Sequence, residues 1–353
     1  MAEQNLTKLA YLTLQQGKSL AGLAHKGLST KLMEFFAPEA IPQTTQVGKD
    51  LLEELRKSMA ELEKTDWNEA ELGLYPKSLL FEAPWLEWFA KYPLVWLDMP
   101  STWNRRRKNN IKDLPKDVNK TNYPEYYLQN FHHQTDGYLS DYSAEIYDIQ
   151  VEILFNGTAD SMRRRIIAPL NKGLNKFKNN HQSNLKVIDI ATGTGRTLQQ
   201  LRIAFPKLEL LGLDLSGAYL KKASKYLNNR EGDMVQLIKG NAEKVPLPDD
   251  SVHGISCVFL FHELPRQARQ NVINECFRIL QPGGTIVIAD SIQMSDSPEF
   301  IPVMENFRKI FHEPYYLDYV KDDINQRMED AGFIDLDSKS HFMTRVWSAE
   351  KPI

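Results

Sequence analysis

Val187-Ile188-Asp189-Ile190 runs directly into Ala191-Thr192-Gly193-Thr194-Gly195, and a helix-forming stretch, Arg196–Ala204, follows. A chain that passes from an apolar run through a glycine turn into a helix is committed to a strand–turn–helix unit. Glycine takes positive φ and lets a ligand approach the backbone at no steric cost. The pattern repeats. Leu208–Leu215, Val235–Lys239, Gly254–Leu260 and Thr285–Ala289 are further short apolar runs, with helical stretches at Ala218–Leu227 and Arg266–Ile279. Strands alternating with helices give βαβ units and a parallel sheet. Phe333–Lys339 and Phe342–Ala349, two residues apart, read as an antiparallel hairpin. The predicted fold is α/β: a doubly wound, mostly parallel seven-stranded sheet with an antiparallel C-terminal hairpin and a helical N-terminal extension.

The extension has its own texture. Leu51, Leu52, Leu55, Met59 and Leu62 recur at helical spacing. Trp67, Trp85, Trp88, Trp96 and Trp103 are five of the six tryptophans. Trp85, Trp88, Tyr92 and Trp96 fall three and four apart, with Pro93 expected to interrupt the helix. The plain reading is a packing stripe. The sharper ones are peripheral membrane contact through 79–108 or a protein interface. Arg105-Arg106-Arg107-Lys108, followed by Lys112, Lys116 and Lys120, reads as an exposed linker, with anionic lipid headgroups as the less favoured reading. Tyr123 to Ser143 is dense in aromatics and histidine, and one helix is expected from Ser143 to Leu170. The expected organisation is an extension at 1–122, a lid or substrate wall at 123–182 and a core at 183–353.

Composition removes several classes. With 43 Lys+Arg against 46 Asp+Glu, the net charge of −3 argues against a broadly basic nucleic-acid binder, and no nucleic-acid partner is expected. Two cysteines, Cys257 and Cys276, exclude a disulfide scaffold and a four-cysteine zinc site. Met1-Ala2-Glu3-Gln4-Asn5 does not read as a secretory signal. Leu79 to Leu97 carries Glu82, Glu87 and Lys91 and does not read as a membrane span. A cytoplasmic location is expected, with an organelle left open. The sequence does not address the oligomeric state.

The glycine turn alone is weak evidence for any one ligand. A dinucleotide fingerprint wants a third glycine where Leu198 stands, and no Gly-Lys-Ser/Thr follows to make a phosphate loop. Leu211-Gly212-Leu213-Asp214-Leu215-Ser216 places an acid at the end of the second strand, nineteen residues after Gly195. A carboxylate there can accept from both ribose hydroxyls.

These residues resemble the class I S-adenosylmethionine-dependent methyltransferases, in the small-molecule branch with quinone and sterol C-methyltransferases. The resemblance extends over Asn184 to Pro352, about half the chain. It includes Gly240-Asn241-Ala242-Glu243, Phe259-Leu260-Phe261-His262-Glu263-Leu264, and Arg278-Ile279-Leu280-Gln281-Pro282-Gly283-Gly284. It implies S-adenosylmethionine as cofactor. Gly193 and Gly195 would lie against its methionine part, and Asp189 would support the turn and the ammonium. Asp214 would hold the ribose, Leu215 would touch the adenine face, and Asn241 with Ala242 would bound the adenine edge. Val258 and Phe259 would contact the methionine end. The sequence departs from the family pattern at Ala191, where the first glycine is usual, at Asn241, where an aspartate is frequent, and at His253.

A base should sit beyond the carboxyl ends of the strands. His262 is the first candidate, with Glu263 orienting it. His262-Glu263-Leu264-Pro265-Arg266 lacks the second histidine of the zinc-protease pattern. His132 and His133 are candidates for substrate contact, and no metal site is expected there, since no nearby cluster completes one. Tyr127, Tyr138, Phe311 and Tyr315 are expected to help wall an acceptor pocket. Aromatic faces suit a planar acceptor and a nearby sulfonium. The expected function is methyl transfer to a small aromatic or lipophilic acceptor, on carbon or oxygen. The rivals are a nicotinamide-dependent oxidoreductase and a non-catalytic binding module on this fold. Protein or nucleic-acid methylation is disfavoured, because Phe261-His262-Glu263-Leu264 replaces the Asn-Pro-Pro-aromatic segment of many amine methylases.

Overall fold

A computed structural model describes residues 2–177 and 185–353. The expected core boundary at 182/183 lies outside the described residues. Seven strands form one sheet in the order β3-β2-β1-β4-β5-β7-β6. They are β1 (Lys186–Ile190), β2 (Glu209–Asp214), β3 (Gln236–Lys239), β4 (Val252–Val258), β5 (Leu280–Ser291), β6 (Ile334–His341) and β7 (Thr344–Glu350). The first five pair in parallel; β5–β7 and β6–β7 are antiparallel, as the sequence predicts. Strand order reverses between β1 and β4, which opens a crevice at their carboxyl ends.

Alternate residues of each strand serve opposite faces. Ile188, Leu211, Ile255 and Ile286 pack towards α9 (Arg266–Ile279) and α12 (Ile324–Asp330). Val187, Leu210 and Val287 pack on the other face with Leu198 and Leu201 of α7 (Arg196–Ala204). Tyr11 and Trp67 belong to this second cluster. They come from α1 (Ala2–Phe36) and α2 (Lys49–Glu71). Part of the extension therefore completes the core of the sheet.

Three local expectations are corrected. First, α3 (Trp85–Lys108) continues through Pro93 and Pro100. Each proline removes one backbone bond, but burial of Trp88 and Val95 against Ile146 and Ile149 holds the helix across the gaps. Second, Arg105 to Lys108 form the last turn of α3 rather than a linker. Arg105 is buried and donates through Nε to the His133 carbonyl at 2.8 Å. Third, the helix expected over Ser143–Leu170 is divided into α4 (Asp141–Leu154), α5 (Ala159–Arg163) and α6 (Ile167–Leu174). Asn156 and Gly157 have φ of 52° and 82° and end α4. A side chain at Gly157 would strike Lys18 of α1.

The tryptophan stripe is packing. Trp67 and Trp88 are buried, and the Trp96 ring lies 4.5 Å from that of His25. The exposed apolar side chains of α3 are Leu86, Phe89 and Leu97 instead. Among the described residues, no helix is long and apolar enough to cross a membrane.

Candidate active site

A cavity lies where β1 and β4 diverge, floored by the glycine turn. Ala191, Gly193 and Gly195 have φ of 57°, 57° and 82°. This is the left-handed region, which glycine enters freely and alanine at a cost. A Cβ built on Gly193 meets nothing, so that space is open above the turn. On Gly195 it would press on Ala223 at 3.1 Å, so this glycine serves packing against α8 (Gly217–Asn228).

Asp214 closes one side. Its carboxylate accepts from the backbone N–H of Gly193 and of Ser216, each at 2.8 Å, which leaves lone pairs facing the cavity. Burial pushes its pKa up to about 6, and those two backbone donors resist the shift. Leu215, Ala242, Val258 and Phe259 line the cavity. Asn241 does too, but its side-chain oxygen already accepts from the Glu243 N–H at 2.9 Å. Asp189 is buried behind the turn, where Ser256 donates to it at 2.6 Å and burial lifts its pKa to about 7. It braces the turn and is not on the cavity wall. Two arginines on that wall were missed by sequence reasoning: Arg196, and Arg163, which also donates to Asp160 at 2.9 Å. The sequence signal for Arg163 was the run Arg163-Arg164-Arg165.

The wall opposite the turn is phenolic. Tyr127 and Tyr138 line it, and Tyr126 and Tyr147 join them. The segment is latched to the core. Tyr126 donates to Glu243 at 2.6 Å, the Tyr138 hydroxyl bonds to Glu263, and Ser216 Oγ donates to the Tyr138 carbonyl at 2.5 Å. Tyr315 stands edge-on to Tyr126, and Phe311 packs on His132.

The two residues of the expected catalytic pair are placed differently. Glu263 is on the cavity wall and His262 is behind it. Asp290, missed from sequence, holds His262 by Nδ1 at 2.6 Å and accepts the Phe261 N–H at 2.7 Å. His262 Nε2 lies 3.9 Å from Glu263 Oε1. His132 joins them: its Nε2 is 3.4 Å from Glu263 Oε1 and its Nδ1 3.1 Å from Glu313 Oε1. So a cluster does form around His132, which corrects the expectation that none is near. His133 is not part of it. It lies by Arg105 and His312, and burial with the Arg106 charge lowers its pKa to about 3.

Burial opposes charge on both cluster histidines. The carboxylates outweigh it, Glu313 and Glu263 for His132 and Asp290 for His262, and both pKa values rise. Burial lifts Glu313 to about 8, against the pull of His132.

The open space at Gly193, the acceptor at Asp214 and the Arg163 cation fit a ligand with a ribose and a carboxylate. Comparison with known proteins agrees. Residues 187–284 match the family described as "Methyltransferase domain". The chain is 25% identical over 190 residues to a demethylmenaquinone methyltransferase of Geobacillus sp. (strain WCH70), covering 46% of this chain and 76% of that protein. It is 34% identical over 152 residues to a demethylmenaquinone methyltransferase of Thermotoga maritima, covering 43% and 59%. A malonyl-[acyl-carrier protein] O-methyltransferase of Methylococcus capsulatus is 34% identical over 104 residues, covering 30% and 36%.

Proposed function

We propose that this S-adenosylmethionine-dependent methyltransferase methylates a small, planar, lipophilic acceptor of the phenol or quinol class. The observation that carries the reading is one cavity shared by two walls. The glycine turn, Asp214 and Asn241 form the first, and Tyr126, Tyr127, Tyr138 and Glu263 form the second. Two relatives named for demethylmenaquinone methylation support a quinol. The relative named as an O-methyltransferase keeps oxygen open beside carbon.

The bound cofactor supplies an activated methyl on a sulfonium. The work left to the protein is alignment and proton removal. Asp214 orients the ribose, and Arg163 faces the cofactor's carboxylate. The tyrosine ring faces hold the acceptor and favour the sulfonium charge. Glu263, the ionisable group on the acceptor wall, takes up the acceptor's proton with the histidines behind it. Calorimetric titration with S-adenosylhomocysteine, with NADH in parallel, tests the cofactor half. Labelled methyl transfer to demethylated quinols and simple phenols, with NMR of the product, tests the acceptor and the atom methylated. Binding of NADH alone would sink the reading.

We also propose that 79–108 rests on a lipid surface, from which such an acceptor would come. Leu86, Phe89 and Leu97 are exposed on α3, and Arg107 and Lys108 are exposed at its end. Co-sedimentation with anionic vesicles should be lost in Leu86→Asp/Phe89→Asp; equal sedimentation of both proteins would count against it.

A further inference from the structure

We propose that His132, His262 and Glu263 form a binding site for a divalent transition-metal ion, with its open coordination position turned towards the acceptor. His132, His262, Glu263 and Glu313 offer ligand atoms that all lie within 4.8 Å of one another. The pairings sort them into ligands and supports. His262 Nδ1 is hydrogen-bonded to Asp290 at 2.6 Å, whereas His132 Nδ1 lies 3.1 Å from Glu313 Oε1 without a hydrogen bond, that oxygen accepting the His132 backbone N–H at 3.2 Å instead. Each histidine presents Nε2 to Glu263 Oε1, at 3.9 and 3.4 Å. A carboxylate hydrogen-bonded to the far nitrogen, as Asp290 is to His262, is how metal-ligating histidines are oriented and made more basic, and Glu313 places a second carboxylate beside His132.

The spacing suits an ion. Ligands about 2.0–2.1 Å from a tetrahedral metal stand about 3.3–3.4 Å from each other, close to the His132–Glu263 separation. The His262–Glu263 pair, at 3.9 Å, needs to contract by roughly half an ångström to reach that spacing. Independently, the Glu313 side chain is fully buried, yet its Oε2 has no hydrogen-bond partner. An unsatisfied buried carboxylate oxygen carries a desolvation cost, which a nearby cation offsets. His132 also holds φ at 55°, a left-handed conformation that costs energy for a side-chain-bearing residue and turns its ring into the cluster.

Two imidazoles and one carboxylate form a donor set of intermediate softness, suited to Zn2+, Fe2+ or Mn2+ rather than Ca2+. Glu263 lies on the cavity wall, so the free coordination position is within reach of an acceptor oxygen. With the ion bound, Glu263 serves as a ligand in place of taking up the proton itself, and an acceptor hydroxyl on the open position would lose its proton to solvent more easily and face the methyl as an oxygen anion. This role for the metal rests on the proposed function; the metal site itself does not.

The test is Zn2+ titration of the full chain after chelator treatment, with Co2+ absorption reporting coordination. S-adenosylhomocysteine affinity is measured on every sample as a check of folding. One Zn2+ per chain is expected. His132→Ala and Glu263→Gln should each weaken it more than 100-fold, and Glu313→Gln, which acts through His132, by about 10–100-fold. All three should keep their S-adenosylhomocysteine affinity. Absence of a stoichiometric site in the wild type, or wild-type Zn2+ affinity in His132→Ala, would overturn the metal site. Failure of the wild type to bind S-adenosylhomocysteine would overturn the proposed function and leave the metal result to stand or fall alone.

Discussion

Two buried charge clusters sit in this chain, and they are built in opposite ways. In the first, Asp66 accepts from Arg164 Nε at 2.8 Å and Nη2 at 2.5 Å, from Arg165, and from the hydroxyls of Tyr11 and Tyr75 at 2.8 and 2.7 Å. Burial opposes its charge, but the two guanidinium groups win and hold its carboxyl well below the usual range. Every acceptor position is used, and four segments, α1, α2, Tyr75 and the arginine run, are tied at one point. In the second cluster, carboxylates outnumber firm donors, Glu313 keeps an oxygen without a partner and Glu263 opens onto the cavity. A saturated buried charge has no capacity left for a ligand and holds structure. An unsaturated one beside a cavity is poised to bind or exchange a proton.

That contrast is open to attack by measurement. The largest effect should come from His262→Gln, which should lower turnover by about 10²–10⁴-fold while S-adenosylhomocysteine affinity stays within about twofold. Full turnover on the true acceptor would place the second cluster with the first, as structure only. Asp66→Ala should do the reverse, lowering unfolding free energy by about 3–5 kcal/mol because two guanidinium groups are left buried without their counter-ion. Denaturant unfolding would show it, and a loss under about 1 kcal/mol would mean the first cluster is not the clasp described.

Asp214 belongs with the unsaturated kind. Asp214→Ala should weaken S-adenosylhomocysteine by about 1.5–3 kcal/mol, the range for hydrogen bonds to a charged group. Unchanged affinity in a folded variant would remove it from the ribose.

The same carboxylate predicts a pH dependence. Its folded value of about 6 lies above the ordinary 3.8 of an aspartate, so the folded protein holds this proton more tightly than the unfolded chain. Its burial therefore costs stability that sets in as pH rises above 3.8 and is complete above about 6. Cofactor binding runs the other way, because ribose hydroxyls donate to the ionised form. Affinity should fall about tenfold from pH 7 to pH 5, and a flat profile would contradict this. The smallest effect expected is from Ala191→Gly, which should add up to about 1 kcal/mol of stability by relieving the left-handed alanine.

The parts of this molecule that could be read from sequence are local. Alternating apolar runs and helical stretches specify a parallel sheet. An apolar run ending in Gly193 and Gly195 specifies its own turn, and an acid at the last position of a strand has to emerge at the sheet's carboxyl end. Asp214 could be placed for that reason, and so could Leu215, Val258 and Phe259. Propensity misled where packing overrode it. Pro93 and Pro100 do not break α3 because its buried face, Trp88 and Val95, has partners in α4.

The sequence by itself determined the sheet, the glycine turn and the acid beside it, because each depends on residues a few positions apart. Only the tertiary structure decided which ionisable groups meet. His132 and Glu313 are 181 positions apart, and His262 and Asp290 are 28 apart on different elements. The adjacent His132 and His133 look alike in sequence, yet consecutive left-handed residues send one ring to Glu263 and the other to His312. No pattern along the chain encodes that choice, because the partners and the burial that set each group's charge come from distant segments brought together by the packing of the sheet.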